Sequence, residues 1–121
     1  MRLRWAAAPA IAAMLVAGMT AGAAQHPAKP VNPANDKLMK LAPPEQAAML
    51  ARAVGHWCIG TEAFLMGVLS AGRGQGNAYW SLRCADGSSW AIQVDPLAAI
   101  TAIGCDTFKE VGAGKECFKK F

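Results

Sequence analysis

Residues 78–94 read AYWSLRCADGSSWAIQV and have the alternation of a β-hairpin. The large side chains occupy every second position of two runs: Trp80, Leu82 and Cys84, and then Trp90, Ile92 and Val94. Asp86-Gly87 lies between the runs, and this dipeptide favours the positive φ angles of a tight turn. We therefore predict an antiparallel hairpin with one apolar face, which helices must cover.

The residues after the hairpin predict a short strand and a short helix. Asp95-Pro96 ends the second strand because proline has no amide hydrogen to donate, and a third strand is expected at residues 100–104. Thr107-Phe108-Lys109-Glu110 has the spacing of a capping box, in which the hydroxyl and the carboxylate each accept a backbone amide hydrogen. A helix is therefore predicted from Thr107 to about Val111.

Helical signals precede the hairpin. Pro43-Pro44-Glu45 is typical of a first turn, since proline is tolerated there and an acidic side chain suits the positive end of the helix dipole. One apolar stripe follows at i, i+3, i+4 and i+7: Ala47, Leu50, Ala51 and Val54. We predict a helix at residues 44–54, preceded by a short turn that begins with Asn35 or Asp36 and runs through Leu41.

The segment Thr61–Ala71, TEAFLMGVLSA, is apolar on nearly every side. Phe64 and Val68 stand four residues apart, and Thr61 followed by an acidic residue resembles a helix start. A buried helix is therefore predicted, with a strand as the alternative because Gly67 weakens a helix.

Composition restricts the class of protein. A chain of 121 residues allows one domain. With 17% charged residues, a mean hydropathy of +0.21 and a net charge of +4, it is neither largely disordered nor a highly charged nucleic-acid binder. The predicted fold class is α+β: a small disulfide-bonded domain with a two- or three-stranded antiparallel hairpin sheet packed against two to three short helices.

The first residues have the features of a secretory signal peptide. Arg2 and Arg4 precede an apolar stretch, and Ala21-Gly22-Ala23 fits the rule of small residues before the cleavage site. We predict a signal peptide at residues 1–23, with cleavage after Ala23. Removal of these 23 residues, which include two arginines, leaves 98 residues with a net charge of +2, so the sequence gives no basis for a nucleic-acid partner.

Two further predictions concern the organisation of the chain. Residues 24–36 carry prolines at a spacing of three and are predicted to be an extended spacer, and residues 37–121 form the small domain. The alternative is a membrane-tethered subunit in which the uncharged span Trp5–Ala24 is not cleaved. If cleavage occurs, no stable membrane span is expected.

The four cysteines, Cys58, Cys84, Cys105 and Cys117, all lie after the predicted signal peptide. An even set in an exported chain predicts two disulfides. Three pairings are open, and we favour Cys58–Cys84 with Cys105–Cys117. No C-x-x-C or C-x-x-C-H motif is present, and the spacing does not suit zinc, so no metal or cofactor is expected.

No catalytic set is visible in the sequence. His56 stands two residues from Cys58, but a cysteine in a disulfide is not a nucleophile. Asp86, Asp95 and Asp106 suit turns or strand ends better than an acid–base pair. A small secreted hydrolase that uses His56 remains the enzymatic alternative, with no catalytic residue predicted otherwise.

Three residues form the predicted ligand surface: Tyr79, Trp57 and Arg73. Tyr79 falls on the strand face opposite Trp80 and is expected to be the most exposed strand aromatic. Arg73 lies among the glycines of residues 72–77, which match no phosphate-binding motif and predict a flexible connection. Lys119 and Lys120 are expected to form a solvated basic terminus.

These observations predict an exported structural or binding accessory protein of the bacterial envelope. High Ala and Gly content with this type of signal suggests a bacterial source. The expected compartment is the periplasm or the outside of the cell, and the expected partner is an envelope protein or polymer.

Overall fold

The computed structural model describes residues 30–112 and 114–121 of the chain. These residues form three helices, Pro33–Met39 (α1), Pro43–Val54 (α2) and Cys105–Val111 (α3), and four strands, Gly60–Val68 (β1), Ala78–Cys84 (β2), Ser89–Val94 (β3) and Ile100–Gly104 (β4). The predicted signal peptide, Trp5–Ala24 and the first part of the predicted spacer lie outside the described residues.

The strands form one antiparallel sheet in the order β1-β2-β3-β4. Trp80 pairs with Ile92 and Leu82 with Trp90, so the predicted hairpin is confirmed. The strand at residues 100–104 is also confirmed. The fold is a small α+β domain with two disulfides, and its sheet has four strands where two or three were predicted.

The buried helix predicted at residues 61–71 is wrong, because most of this segment lies in strand β1, as the alternative prediction had it. The segment is apolar on both sides because both faces of the sheet are covered: Ala63 and Leu65 pack towards one cluster and Phe64 and Met66 towards the other. Register shifts between residues 60 and 62 and between residues 65 and 67 interrupt the alternation. The pattern of a two-sided, bulged strand is therefore hard to distinguish from that of a buried helix.

α1 and α2 cover the predicted apolar face. The helix predicted at residues 44–54 is confirmed, with Ala47, Leu50 and Ala51 buried. They pack with the alternating strand residues in one cluster that includes Trp80, Leu82, Ile92 and Val94. This face contains most of the core.

α3 and the C-terminal residues cover the opposite face, which the alternation of the hairpin does not predict. Phe108 is buried with Met66 and Ala91 in a second cluster. α3 begins at Cys105 with Gly104 as its N-cap and has no side-chain cap. The predicted capping box is therefore wrong, since Thr107 lies inside the helix.

α1 begins within the segment predicted as a spacer. Its first residue is Pro33, and Asn32 caps it by accepting the amide hydrogen of Asn35 at 2.9 Å. The cap residue is thus Asn32 where Asn35 or Asp36 was expected. The Asn32 Nδ2 atom also donates to the carbonyl oxygens of Gly76 and Val94, both at 2.9 Å, so these residues are fixed against the sheet.

The favoured disulfide pairing is confirmed. Cys58 is bonded to Cys84, with Cα atoms 5.2 Å apart, and Cys105 to Cys117, with Cα atoms 5.7 Å apart. The first joins the segment between α2 and β1 to the sheet, and the second joins α3 to the C-terminal residues. No helix among the described residues is long and apolar enough to cross a membrane.

Candidate functional site

The loop between β1 and β2 is held by backbone hydrogen bonds. The amide of Gly76 donates to the Leu69 carbonyl at 2.8 Å, and that of Asn77 donates to the Gly74 carbonyl at 2.9 Å. Gly74 and Gly76 have positive φ angles of 83° and 88°, which other residues adopt only with strain. The segment expected to be a flexible connection is therefore a series of tight turns, and it places Arg73 at the surface.

A cleft of about 180 Å³ lies between this loop, α3 and the C-terminal residues. Its lining residues are Leu69, Arg73, Tyr79, Phe108, Val111, Gly112, Lys115 and Phe121. The ring centroid of Tyr79 is 5.5 Å from that of Phe108 and 6.1 Å from that of Phe121. The cleft thus has an aromatic wall with two cationic residues beside it.

Tyr79 is only partly exposed, in contrast to the expectation that it faces solvent. Its side chain lies on the face opposite Trp80, as predicted, but α3 and Phe121 cover that face. The Tyr79 hydroxyl donates to the Gln93 Oε1 atom at 3.2 Å. This bond orients the phenol while its ring lines the cleft.

The cleft carries positive charge, and no acidic side chain lines it, although Glu116 lies in the adjoining depression beside Lys115 and Phe121. Its lining includes Arg73 and Lys115 but no acidic residue. The ion pairs among the described residues are Arg83–Glu62, Lys109–Glu116 and Lys119–Glu116. Lys115 lies 4.6 Å from the centre of the Phe121 ring, which attracts cations through its π face. An anionic group at this position has two cations available to it.

The C-terminal residues form one side of the cleft because they are fixed to the sheet at several points. The amide of Phe118 donates to the hydroxyl of buried Ser81, and the amide of Phe121 donates to the Met66 carbonyl at 3.1 Å. The Phe118 ring packs edge-on against Phe64 at 5.7 Å. Lys119 and Lys120 remain exposed, as expected.

Trp57 lies away from the cleft. Its side chain is 51% exposed and packs edge-on against Trp90 with ring centroids 6.2 Å apart. Trp90 belongs to the sheet face that α1 and α2 cover. Of the three residues predicted as a ligand surface, the structure brings Tyr79 and Arg73 together and places Trp57 on another surface.

His56 is exposed in the turn after α2, and no hydrogen bond joins its ring to another described residue. Asp86 and Asp95 have the turn roles expected of them. Asp86 Oδ1 accepts from the amide and hydroxyl of Ser88, and these bonds lower the pKa of the Asp86 carboxyl. Asp106 lies in the first turn of α3, where a negative charge suits the positive end of the helix dipole.

Sequence reasoning missed six residues of the cleft: Leu69, Phe108, Val111, Gly112, Lys115 and Phe121. Except for Leu69, they lie at least 29 positions after Tyr79 in the sequence, and they reach it because α3 and the C-terminal residues cover that face of the sheet. The spacing of Cys105 and Cys117 was the available signal, because a bridge there predicts that the intervening chain is fixed against the fold.

Similarity to known proteins does not indicate what the cleft binds. Comparison with known proteins finds no matching family model, no matching curated protein and no matching solved structure. No group of three His, Cys, Asp or Glu side chains within residues 30–112 and 114–121 is arranged to hold a metal ion. The cleft places Arg73 and Lys115 beside the rings of Tyr79, Phe108 and Phe121.

Proposed function

We propose that this chain is an exported, non-enzymatic binding protein of the bacterial envelope, and that residues 1–23 are its cleaved signal peptide. The charged start, apolar stretch and small residues before Ala23 support export. Two disulfides fit an oxidising compartment such as the periplasm or the cell exterior. The mature chain then begins near Ala24 and acts as a compact, cross-linked module.

The binding site is the cleft beside Tyr79. One observation carries this assignment: Arg73 and Lys115 stand beside an aromatic wall, and no acidic side chain lines the same cleft. Arg73 and Lys115 form no ion pair with another described residue, so they are available to attract an anion. The rings of Tyr79 and Phe121 offer apolar contact. The ligand group therefore combines a negative charge with an apolar body.

The volume of the cleft limits the size of that group. An apolar cavity of about 150 Å³ accepts one benzene ring, so the cleft of about 180 Å³ holds a single ring or side chain. A carboxylate attached to such a group matches the end of a peptide chain with an apolar last residue. A small free carboxylate, such as phenylacetate, has the same chemistry.

Titration of the isotope-labelled, oxidised protein followed by NMR tests this proposal. Phenylacetate and a short peptide ending in Phe with a free carboxylate are added separately, together with the same peptide ending in an amide. We expect shifts at the amides of Leu69, Arg73 and Lys115 with the carboxylates and much weaker shifts with the amide. Binding of the peptide alone identifies a chain end as the ligand, and binding of neither carboxylate overturns the assignment.

A matched pair of variants locates the charge that matters. Arg73→Gln removes an exposed cation of the cleft, and Arg52→Gln removes an exposed cation from α2. We expect the first to weaken binding about tenfold, the loss of one exposed charge-assisted contact, and the second to leave it unchanged. Equal effects of the two variants would mean that general charge attraction, not the cleft, holds the ligand.

A further inference from the structure

β4 forms an open edge of the sheet. It pairs with β3 on one side, and within the described residues nothing pairs with its other side. The amide of Asp95 donates to the Ala99 carbonyl at 3.0 Å, so these two residues are a hydrogen-bonded pair at the start of the β3–β4 ladder. Since alternate residues of an antiparallel strand bond to the same neighbour, Thr101 and Ile103 bond to β3.

The remaining peptide groups of β4 therefore point outward. They are the N–H groups of Ile100, Ala102 and Gly104 and the carbonyl groups of Ile100 and Ala102. Exposed rows of this kind pair readily with another strand, and natural sheets usually protect them with charges, prolines or bulges. β4, with the sequence ITAIG, has no charge, no proline and no register shift.

The opposite edge of the sheet shows the contrast. β1 carries Glu62 and two register shifts, and the Phe121 amide occupies the Met66 carbonyl. These features oppose pairing with another chain at β1. Only the β4 edge is both regular and uncharged.

Apolar side chains flank the β4 edge on the face of α1 and α2. Ile100 is 38% exposed and Met49 36% exposed. A groove of about 260 Å³ runs beside them, and Lys37 is its one charged lining residue. At the other end of β4, Gly104 pairs with Trp90, and Trp57 packs against the Trp90 ring.

Gly104 leaves an opening on this face. Side chains alternate along a strand, so positions 100, 102 and 104 lie on the same face. A Cβ atom on Gly104 would meet nothing within 4 Å. If two copies of β4 pair antiparallel about Ala102, the Ile100 side chain of one copy stands opposite Gly104 of the other and enters this opening beside Trp90.

We infer that the β4 edge is a self-association surface, through which two copies of this chain pair their β4 strands antiparallel about Ala102. Each Ala102 amide donates to the Ala102 carbonyl of the other copy, and each Gly104 amide donates to the opposite Ile100 carbonyl. The uncharged strand brings no like charges together, which favours a second copy over a charged partner. The cleft beside Tyr79 lies on the other face of the sheet and stays open in this dimer.

Sedimentation and hydrogen exchange of the purified oxidised protein test the dimer together. We expect a concentration-dependent dimer in sedimentation velocity. The amides of Ala102 and Gly104 should exchange more slowly as protein concentration rises. Those of Thr101 and Ile103 should be protected at every concentration, because they bond to β3 within one copy.

Two variants and one control test the geometry. Gly104→Val fills the opening while keeping the amide, and Ala102→Pro removes an outward amide that the monomer does not use. Both should abolish the dimer, and Ala102→Ser should retain it. Circular dichroism and intact mass verify that each variant is folded and oxidised.

Three results overturn the inference: a monomer at every concentration, a dimer that survives both Gly104→Val and Ala102→Pro, and exchange at Ala102 and Gly104 that does not depend on concentration. If Ala102→Pro fails to fold, Gly104→Val and the exchange rates decide the question.

Discussion

The indole N–H of Trp80 donates a 2.8 Å hydrogen bond to the Oδ1 atom of Asn35. Both residues are buried, with exposed fractions of 1% and 5%, so a polar bond inside the core joins α1 to the centre of the sheet. Asn32, at the start of the same helix, bonds to the carbonyl oxygens of Gly76 and Val94. A helix of seven residues is marginal on its own, and these bonds make its position part of the fold.

Substitution of Asn35 should therefore destabilise the domain. Asn35→Ala leaves the buried Trp80 N–H without its acceptor, and an unsatisfied buried donor costs about 1–3 kcal/mol. Urea unfolding with the disulfides intact measures the loss, and Asp36→Ala, at an exposed neighbour on the same helix, is the control. If the two variants unfold at the same urea concentration, the Asn35–Trp80 bond does not hold α1 in place.

Gly60 should not tolerate a side chain. A Cβ atom there would overlap the backbone carbonyl of Ala47 in α2, so α2 and β1 would have to separate. We expect Gly60→Ala to cost more than about 2 kcal/mol, as overpacking of a core contact does. Gly104→Ala, measured at low protein concentration, should be nearly neutral because its Cβ meets nothing within 4 Å; similar costs at the two sites would show that α2 adjusts to β1 freely.

The local sequence pattern was sufficient to predict the hairpin and α2. Trp80 and Ile92 in the strands and Leu50 in α2 belong to apolar patterns whose period is set by one covered face. The local pattern failed where both faces of a strand are covered, or where residues distant in the sequence determine burial. Phe64 and Leu65 are both covered, on opposite faces, which removes the alternation that identifies a strand.

Tyr79 shows the same limit at the candidate site. Its position opposite Trp80 follows from alternation, but its burial depends on Phe108 and Phe121. Phe121 reaches it from more than forty positions further along the chain, so no local pattern contains the contact. The cleft was therefore predictable in two of its residues, Tyr79 and Arg73, and its wall and second cation came only from the tertiary structure.

The Asp86 carboxylate in the turn of the β2–β3 hairpin should contribute less to stability at low pH. Hydrogen bonds from Ser88 lower the pKa of the Asp86 carboxyl below its ordinary value of 3.8, so the folded state favours the charged form. The stability that this carboxylate contributes is present above its unfolded pKa and is lost as the pH falls through its lower folded pKa.

NMR titration of the Asp86 carboxyl measures this shift directly. We expect Ser88→Ala to raise the pKa of Asp86 towards 3.8, because it removes the hydroxyl donor. The Ser89 hydroxyl accepts from Arg83, so Ser89→Ala is the control and should leave the pKa of Asp86 unchanged. An Asp86 pKa that stays the same after Ser88→Ala would contradict the bond from the hydroxyl.

The two disulfides should differ in what their loss affects. Each closes a loop of a length for which chain entropy predicts about 3 kcal/mol. Cys58 and Cys84 are buried in the main core, so Cys58→Ala with Cys84→Ala also leaves a cavity and should cost more in unfolding free energy. Cys105 and Cys117 are only partly buried, and their double replacement should be the milder change in stability.

Ligand binding should show the opposite order. Cys117 fixes the chain that carries Lys115 and Phe121, which form one side of the cleft. Replacement of Cys105 and Cys117 by Ala loosens that side and should weaken binding of a Phe-ended peptide more than replacement of Cys58 and Cys84 does, when both variants are assayed well below their unfolding temperatures. NMR titration of the two folded variants makes the comparison, and a peptide affinity that falls in step with stability in both would place the binding site away from the C-terminal residues.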